Sequence, residues 1–89
     1  MYQVVKRDGK VTEFNLSKIS TAITKAFEAT KKAYNEDIID LLALKVTADY
    51  QDKIHDGLIS VEDIQDSVEN ILSKAGYADA AKAYILYRK

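Results

Sequence analysis

Residues 4–14, VVKRDGKVTEF, decide how the fold begins. Two short runs of β-prone residues, Val4–Lys6 and Val11–Phe14, flank the polar segment Arg7–Lys10. Asp-Gly between two such runs is a strong hairpin signal, because both residues tolerate the positive φ that tight hairpin turns require. The sequence therefore predicts a β-hairpin at the start of the chain.

Asparagine caps mark the next two elements. Asn15 precedes apolar residues that recur every three or four positions, which predicts a first helix from about Leu16 to Lys32. Asn35 precedes two acidic residues and a second apolar series, which predicts a second helix to about Lys53.

A break and a new cap follow. Asp56-Gly57 ends the second helix, and Leu58-Ile59 is long enough for a very short strand. Ser60 with Asp63 three positions later resembles a capping box, and the residues after it form the cleanest amphipathic stripe in the chain. This pattern predicts a third helix over Val61–Ala75.

The last segment completes the predicted architecture. Gly76 is placed as the residue that ends the third helix, and Tyr77–Lys89 contains no helix breaker. Because this fourth helix is uncapped at the last residue, we expect the chain to be a fragment of a longer protein. The fold class predicted is α+β, mainly α: a four-helix bundle capped by a small β-hairpin or three-stranded sheet, forming one domain over residues 1–89.

Composition excludes several classes of function. The 89 residues include 13 Lys and Arg against 14 Asp and Glu, so there is no positive field to hold a nucleic-acid backbone. There is no cysteine, which excludes disulfides, thiolate metal sites and thiol catalysis within these residues. Without a secretory signal or a membrane-spanning run, we expect a soluble, cytoplasmic protein that binds neither nucleic acid nor membrane.

No catalytic or metal-binding constellation is evident. The one histidine, His55, lies at a predicted turn, where a solvated side chain is the better interpretation. Acidic residues such as Glu36 and Glu62 fall in first helical turns, where helix-end electrostatics explains them. We expect no enzymatic activity from this chain alone and no metal site built from its residues.

Basic residues converge on one corner of the predicted fold. Lys6 and Arg7 precede the hairpin turn, and Lys18 lies one turn into the first helix, whose N-terminus favours an anion. Only Asn15 and Leu16 separate the hairpin from this helix, so the three cations can meet around a polyphosphate. The alternative is a solvated basic turn, which is common in proteins.

Four segments together resemble the ATP-cone domain family. They are Val5–Gly9, Phe14–Ile19, Ile59–Glu69 and Ala83–Lys89, and the resemblance covers essentially the whole chain. It implies an allosteric regulatory domain of a ribonucleotide reductase, in which ATP permits deoxyribonucleotide synthesis and dATP inhibits it. The effector, ATP or dATP, would carry Mg²⁺.

The ending Tyr84–Lys89 is most similar to that of the anaerobic, formate-using, glycyl-radical ribonucleoside-triphosphate reductase. The implied partners are adenine nucleotides and the catalytic domain of the parent enzyme, and a homo-oligomer stays open. Two other interpretations also stay open. One is the ATP-cone of a transcriptional repressor of reductase genes, and the other is a helical protein-interaction module without a ligand.

The resemblance also implies a set of nucleotide-binding residues. Lys18 would lie at the phosphates, Ile19 and Ala22 beneath the base, and Asn15 at the ribose or phosphate. The alternatives are that the apolar members are plain core and that Asn15 only caps its helix. The full set is Val4, Val5, Lys6, Arg7, Asn15, Lys18, Ile19, Ala22, Val61, Ile64, Gln65 and Lys89.

Overall fold

A computed structural model describes residues 2–31 and 33–88. The α+β architecture predicted from the sequence is confirmed, with the small sheet in its three-stranded form. The described residues contain no helix with the length and apolar character needed to cross a bilayer. In chain order the elements are β1 (Gln3–Val5), β2 (Val11–Glu13), α1 (Leu16–Ala29), α2 (Glu36–Asp49), a 3₁₀ turn (Gln51–Lys53), β3 (Leu58–Ser60), α3 (Val61–Lys74) and α4 (Ala78–Tyr87).

The predicted hairpin is present, and its turn is closed by local hydrogen bonds. The Gly9 amide donates to the Lys6 carbonyl at 2.9 Å, and the Lys10 amide donates to Asp8 Oδ1 at 3.0 Å. Gly9 has a φ of 86°, a left-handed conformation that is accessible to glycine without strain. A turn followed by a glycine in this conformation is a common three-residue hairpin connection.

The third strand joins the sheet beside β1. The strand order is β2-β1-β3, with β1 antiparallel to β2 and parallel to β3. Asp56 and Gly57 both have positive φ and reverse the chain between His55 and Leu58, whose backbones exchange two hydrogen bonds of 2.9 Å. His55 is exposed at this turn, as predicted. Strand β3 leads directly into α3, so the sheet lies beside the start of this helix.

The four α-helices form a bundle around one apolar core. Helix α1 packs against α2 and α4, and α3 packs against the same two neighbours. Ile23, Val46 and Leu72, from three different helices, are fully buried at its centre. The sheet covers one end of this bundle through Val4 and Ile59, which belong to the same core.

The predicted caps are confirmed. The Asn15 side chain accepts from the Ser17 amide, and the Asn35 side chain accepts from the Asp37 amide. Ser60 accepts from the Asp63 amide at 3.1 Å and begins α3. These side chains satisfy backbone donors that have no partner inside their helices.

Helix ends differ from the predicted ends by a few residues. Helix α1 ends at Ala29 because Lys31 adopts a left-handed φ of 59°, and the predicted end, Lys32, lies outside the described residues. Helix α2 ends at Asp49 rather than near Lys53, because the chain tightens after it into the 3₁₀ turn.

The two later helices end close to their predicted limits. Helix α3 ends at Lys74, and Gly76 follows it with a φ of 89°. The amides of Gly76 and Tyr77 donate to the carbonyls of Ser73 and Leu72, which is the pattern expected where a glycine ends a helix. Helix α4 spans Ala78–Tyr87, and the last residue of its predicted range, Lys89, is outside the described part of the chain.

Candidate functional site

A cavity of about 270 Å³ lies where the hairpin, α1, α3 and α4 meet. Its size is near the lower end of the range for small-molecule sites in proteins. Exposed side chains, among them Lys6, Lys18 and Tyr87, lie on its solvent side. Its lining is formed by Val4, Lys6, Thr12, Glu13, Phe14, Asn15, Lys18, Ile19, Ala22, Val61, Ile64, Gln65, Val68, Tyr84 and Tyr87.

Only some of the hairpin residues reach this cavity. Successive side chains of a strand point to opposite faces of the sheet, which separates Val4 from Val5, whereas Lys6 and Arg7 follow the end of β1. Val4 and Lys6 line the cavity, and Val5 and Arg7 do not. Of the four consecutive hairpin residues in the set implied by the resemblance, two therefore line the cavity and two do not.

The cavity has a positively polarised side. Lys6 from the hairpin and Lys18 from α1 both line it, next to the N-terminus of α1. Helices α2, α3 and α4 each have an acidic residue in the first turn, whereas α1 has none. The positive end of the α1 dipole therefore has no carboxylate within its own first turn, which favours an external anion beside the two lysines.

An apolar wall faces this basic side. Ile19 and Ile64 are 5% and 8% exposed, and Ala22 and Val61 are half-buried. These residues line the cavity and pack in or against the core. These apolar residues therefore belong both to the core and to the wall of the cavity.

Two amide side chains add polar groups to the lining. Asn15 is the N-cap of α1, and its Oδ1 accepts from the Ser17 amide at 3.0 Å and from the Ser17 hydroxyl at 2.7 Å. Gln65 lies on α3, and its Oε1 accepts from Nη2 of Arg7 at 3.0 Å. The predicted cap role of Asn15 is confirmed, and Arg7 is in contact with a cavity residue without lining the cavity.

Arg88 fastens the end of α4 to α3. Its Nη1 lies 3.0 Å from Asp66 Oδ1 and 3.4 Å from Glu69 Oε1, and its side chain is only 16% exposed. Tyr84, one turn earlier, lines the cavity, and burial raises the pKa of its hydroxyl to about 12 although the charge of Arg88 opposes this rise. Tyr84 is therefore a neutral hydrogen-bonding wall at ordinary pH.

Sequence reasoning missed several lining residues. Thr12 and Phe14 follow from strand alternation, because Thr12 pairs with Val4 across the hairpin and Phe14 lies on the same face. Val68 is one helical turn beyond Ile64 and had a periodic signal. Tyr84 and Tyr87 reach the cavity only because α4 packs beside α1, a contact that no local pattern reveals. Glu13 had no distinguishing signal.

Most residues of the set implied by the resemblance surround this cavity. Those that line it are Val4, Lys6, Asn15, Lys18, Ile19, Ala22, Val61, Ile64 and Gln65. Val5 and Arg7 lie outside the lining, and Lys89 is outside the described residues. In residues 2–31 and 33–88 no group of three or more His, Asp or Glu side chains is arranged to hold a metal ion.

Comparison with known proteins identifies the family. The model of the ATP cone domain matches residues 2–89, and the chain belongs to this family. It is 42% identical, over 97% of its length, to ribonucleoside-diphosphate reductase subunit alpha of Chlamydia pneumoniae. It is 44% identical, over 98%, to the vitamin B12-dependent ribonucleoside-diphosphate reductase of Thermoplasma acidophilum.

A third relative belongs to another class of reductase. The anaerobic ribonucleoside-triphosphate reductase of Haemophilus influenzae is 34% identical over 98% of the chain. The chain spans 9% of the length of the Chlamydia pneumoniae protein and 12% of each of the other two. The similarity therefore concerns one small region of much larger proteins.

Proposed function

We propose that this chain is an allosteric regulatory domain that binds ATP and dATP in the cavity between the hairpin, α1 and α3. The observation that carries the proposal is that Lys6 and Lys18 line one cavity beside the N-terminus of α1, whose first turn contains no acidic residue. These groups supply positive charge and backbone N–H donors, which is the chemistry that binds a polyphosphate.

The rest of the cavity fits an adenine nucleoside. A purine is flat and largely apolar, and the wall formed by Ile19, Ala22 and Ile64 offers it an apolar surface. Asn15 and Gln65 supply amide groups for the ribose or the phosphates. Mg²⁺ would accompany the nucleotide through its phosphate oxygens.

The family and the relatives support control of a ribonucleotide reductase as the role of this domain. In this account the chain is a domain of a longer protein, ATP permits its activity, dATP inhibits it, and the catalytic domain is the partner. The relatives reported above are reductases, which supports a reductase parent over a repressor of reductase genes. The parent, rather than this domain, would perform the chemistry of deoxyribonucleotide synthesis.

The class of parent enzyme is a finer proposal. The ending Tyr84–Lys89 favours the anaerobic, formate-using ribonucleoside-triphosphate reductase, and one relative of that class is 34% identical. The 42% and 44% identities to ribonucleoside-diphosphate reductases favour the other classes. Assays of the parent with ribonucleoside triphosphates plus formate, and with diphosphates plus a thiol reductant, would distinguish them.

The nucleotide site is tested by calorimetric titration of the chain with Mg²⁺-ATP and with dATP. We expect both to bind competitively, and we expect the double variant Lys6→Ala/Lys18→Ala to lose measurable binding, because both cations at the phosphates are gone. The matched control is Lys45→Ala/Lys74→Ala, which removes the same charge from exposed positions on α2 and α3.

Three results would contradict the proposal. If the Lys6/Lys18 variant kept the affinity of the unmodified chain, the phosphates would not lie at this corner. If both double variants lost affinity equally, net charge rather than a site would explain binding. A chain whose melting temperature and calorimetric trace did not respond to either nucleotide would favour the interaction module without a ligand.

A further inference from the structure

Helix α4 supplies one side of the cavity although its last turn is poorly buried. Tyr84 and Tyr87 both line the cavity. Tyr84 is 3% exposed, whereas Tyr87 and its neighbour Leu86 are 52% and 72% exposed. A last turn with so little apolar burial opens easily, because its final carbonyl groups have no partners inside the helix. The position of Tyr87 therefore depends on contacts other than the core.

Arg88 supplies such contacts at the end of α4. Its Nη1 donates to Asp66 Oδ1 at 3.0 Å and to Glu69 Oε1 at 3.4 Å, and its side chain is 16% exposed. Its carbonyl oxygen also accepts from Nη2 of Arg7 at 3.1 Å. Hydrogen bonds between ionised groups are stronger than neutral ones, and a positive charge suits the negative end of the α4 dipole. The Arg88 clamp, meaning its contacts with Asp66 and Glu69, therefore fastens the last turn of α4 to α3.

This clamp lies outside the cavity. Gln65 and Val68 of α3 line the cavity, whereas Asp66 and Glu69, the residues that follow them, do not. Arg88 does not line it either. The clamp can therefore influence a ligand in the cavity only through the position of α4.

The α4 side of the cavity flanks the nucleoside rather than the phosphates. Nζ of Lys25 lies 5.6 Å from the centre of the Tyr87 ring. Lys25 is seven positions after Lys18 on α1, which corresponds to about 10 Å along the helix axis. If the phosphates lie at Lys6 and Lys18, Tyr87 therefore lies about two turns farther along α1, on the side of the nucleoside.

We propose that Arg88 is a positioning residue, which holds the last turn of α4 against α3 so that Tyr84 and Tyr87 close the nucleoside end of the cavity. This inference rests on the function proposed above. Arg88 acts through the two tyrosines and does not touch the nucleotide. Loss of the clamp weakens the binding of ATP and leaves the phosphate end of the cavity intact.

The test compares Mg²⁺-ATP with inorganic triphosphate, each titrated into the whole chain by calorimetry. Arg88→Ala should weaken ATP binding by about three- to thirtyfold, the usual range for effects transmitted through packed contacts. It should change the affinity for triphosphate by less than about twofold, because the two lysines are distant from the clamp. Urea denaturation checks that the variant is folded, and Arg88→Gln, which keeps a polar side chain, replaces it if it is not.

The matched control is Lys82→Ala. It removes a positive charge from an exposed position on the same helix, away from the cavity lining and from the clamp. Both affinities should match those of the unmodified chain. A loss of ATP affinity equal to that of Arg88→Ala would show that the charge of α4, rather than the clamp, matters.

Exchange of the two charges separates positioning from direct contact with the ligand. Arg88→Glu places a carboxylate beside Asp66 and should weaken ATP at least as much as Arg88→Ala does. The double variant Asp66→Arg/Arg88→Glu restores an ion pair of opposite polarity, so most of the ATP affinity should return. An arginine on α3, outside the cavity, could not replace a lost contact between Arg88 and the phosphates.

The outcomes separate this inference from the proposed function. If neither ATP nor triphosphate binds the unmodified chain, the proposed function fails. If both bind but Arg88→Ala weakens them by the same factor, or leaves ATP unchanged, the inference is wrong. A double variant that binds ATP no better than Arg88→Glu alone would overturn it as well, and this comparison decides where triphosphate binds too weakly to measure.

Discussion

The two ends of the hairpin are held in opposite ways. At the open end, Tyr2 and Phe14 pack on Tyr50, which is fully buried, and the hydroxyl groups of Tyr2 and Tyr50 are hydrogen-bonded. At the turn end, Arg7 is half-exposed and is held by hydrogen bonds to Gln65 and to the Arg88 carbonyl.

This difference separates stability from response to a ligand. Burial of aromatic rings contributes several kilocalories per mole and does not depend on a ligand, whereas exposed polar contacts contribute little and exchange easily for new partners. The aromatic end therefore anchors the hairpin on the bundle. We expect the turn end, rather than the aromatic end, to respond to an anion in the cavity.

The largest expected effect is on the anchored end. Tyr50→Ala leaves a cavity among Tyr2, Phe14 and α2, and we expect it to lower the free energy of unfolding by about 3–5 kcal/mol, the usual cost of removing a large buried side chain. Arg7→Ala at the turn end should cost less than about 1 kcal/mol, because its contacts are exposed. Urea denaturation monitored by circular dichroism measures both.

The same denaturation experiment tests whether the two ends of the hairpin differ in this way. Tyr50→Phe keeps the ring and removes only the hydroxyl contact with Tyr2, so its cost should be about 1 kcal/mol. If Arg7→Ala destabilised the chain as much as Tyr50→Ala does, the polar end would be the anchor and the distinction would be wrong.

A smaller effect is expected from alkaline pH. Burial raises the pKa of Tyr84 to about 12 and also raises the pKa of Tyr50, so the folded chain keeps these protons above the pH at which the unfolded chain releases them. Stability from both groups is fully present below about pH 10, and the part from Tyr84 is lost as the pH rises through the interval from 10 to 12.

Urea denaturation at a series of pH values from 8 to 11 checks this dependence. Tyr84→Phe should flatten the loss of stability above pH 10, because the phenylalanine ring has no proton to release. If stability above pH 10 fell as steeply in Tyr84→Phe and in Tyr50→Phe as in the unmodified chain, groups other than these two tyrosines would cause the loss.

Short sequence patterns were sufficient to predict most of the helices, strands and turns of the fold. The Asp8-Gly9 turn, the caps Asn15, Asn35 and Ser60, and the terminator Gly76 all depend on a few adjacent residues, and the structure confirms them. The end of α2 was not predictable, because Tyr50 is buried against the distant Tyr2 and the chain tightens after it. Long-range packing decided that boundary.

The candidate site could be predicted only where the position of a residue depends on the helix or strand that contains it. Ile19 and Ala22 belong to the apolar face of α1, and Val61 and Ile64 begin the stripe of α3, whereas Gln65 was implied only by the resemblance to the family. Strand alternation, applied to β1, would have separated Val5 from Val4, but Arg7 lies in the turn beyond the strand. The bond from Arg7 to Gln65 spans 58 positions in sequence, and only the packed structure reveals it.

The central claim is that the turn end of the hairpin, the start of α1 and the start of α3 form one nucleotide site. The most direct test is titration of the ¹⁵N-labelled chain with Mg²⁺-ATP, following each backbone amide by NMR. We predict that the amides of Lys6, Lys18 and Gln65 shift on binding, while those of Leu41 and Leu44 on the exposed face of α2 do not. Shifts concentrated on α2, with the hairpin turn and the start of α1 unchanged, would contradict the account.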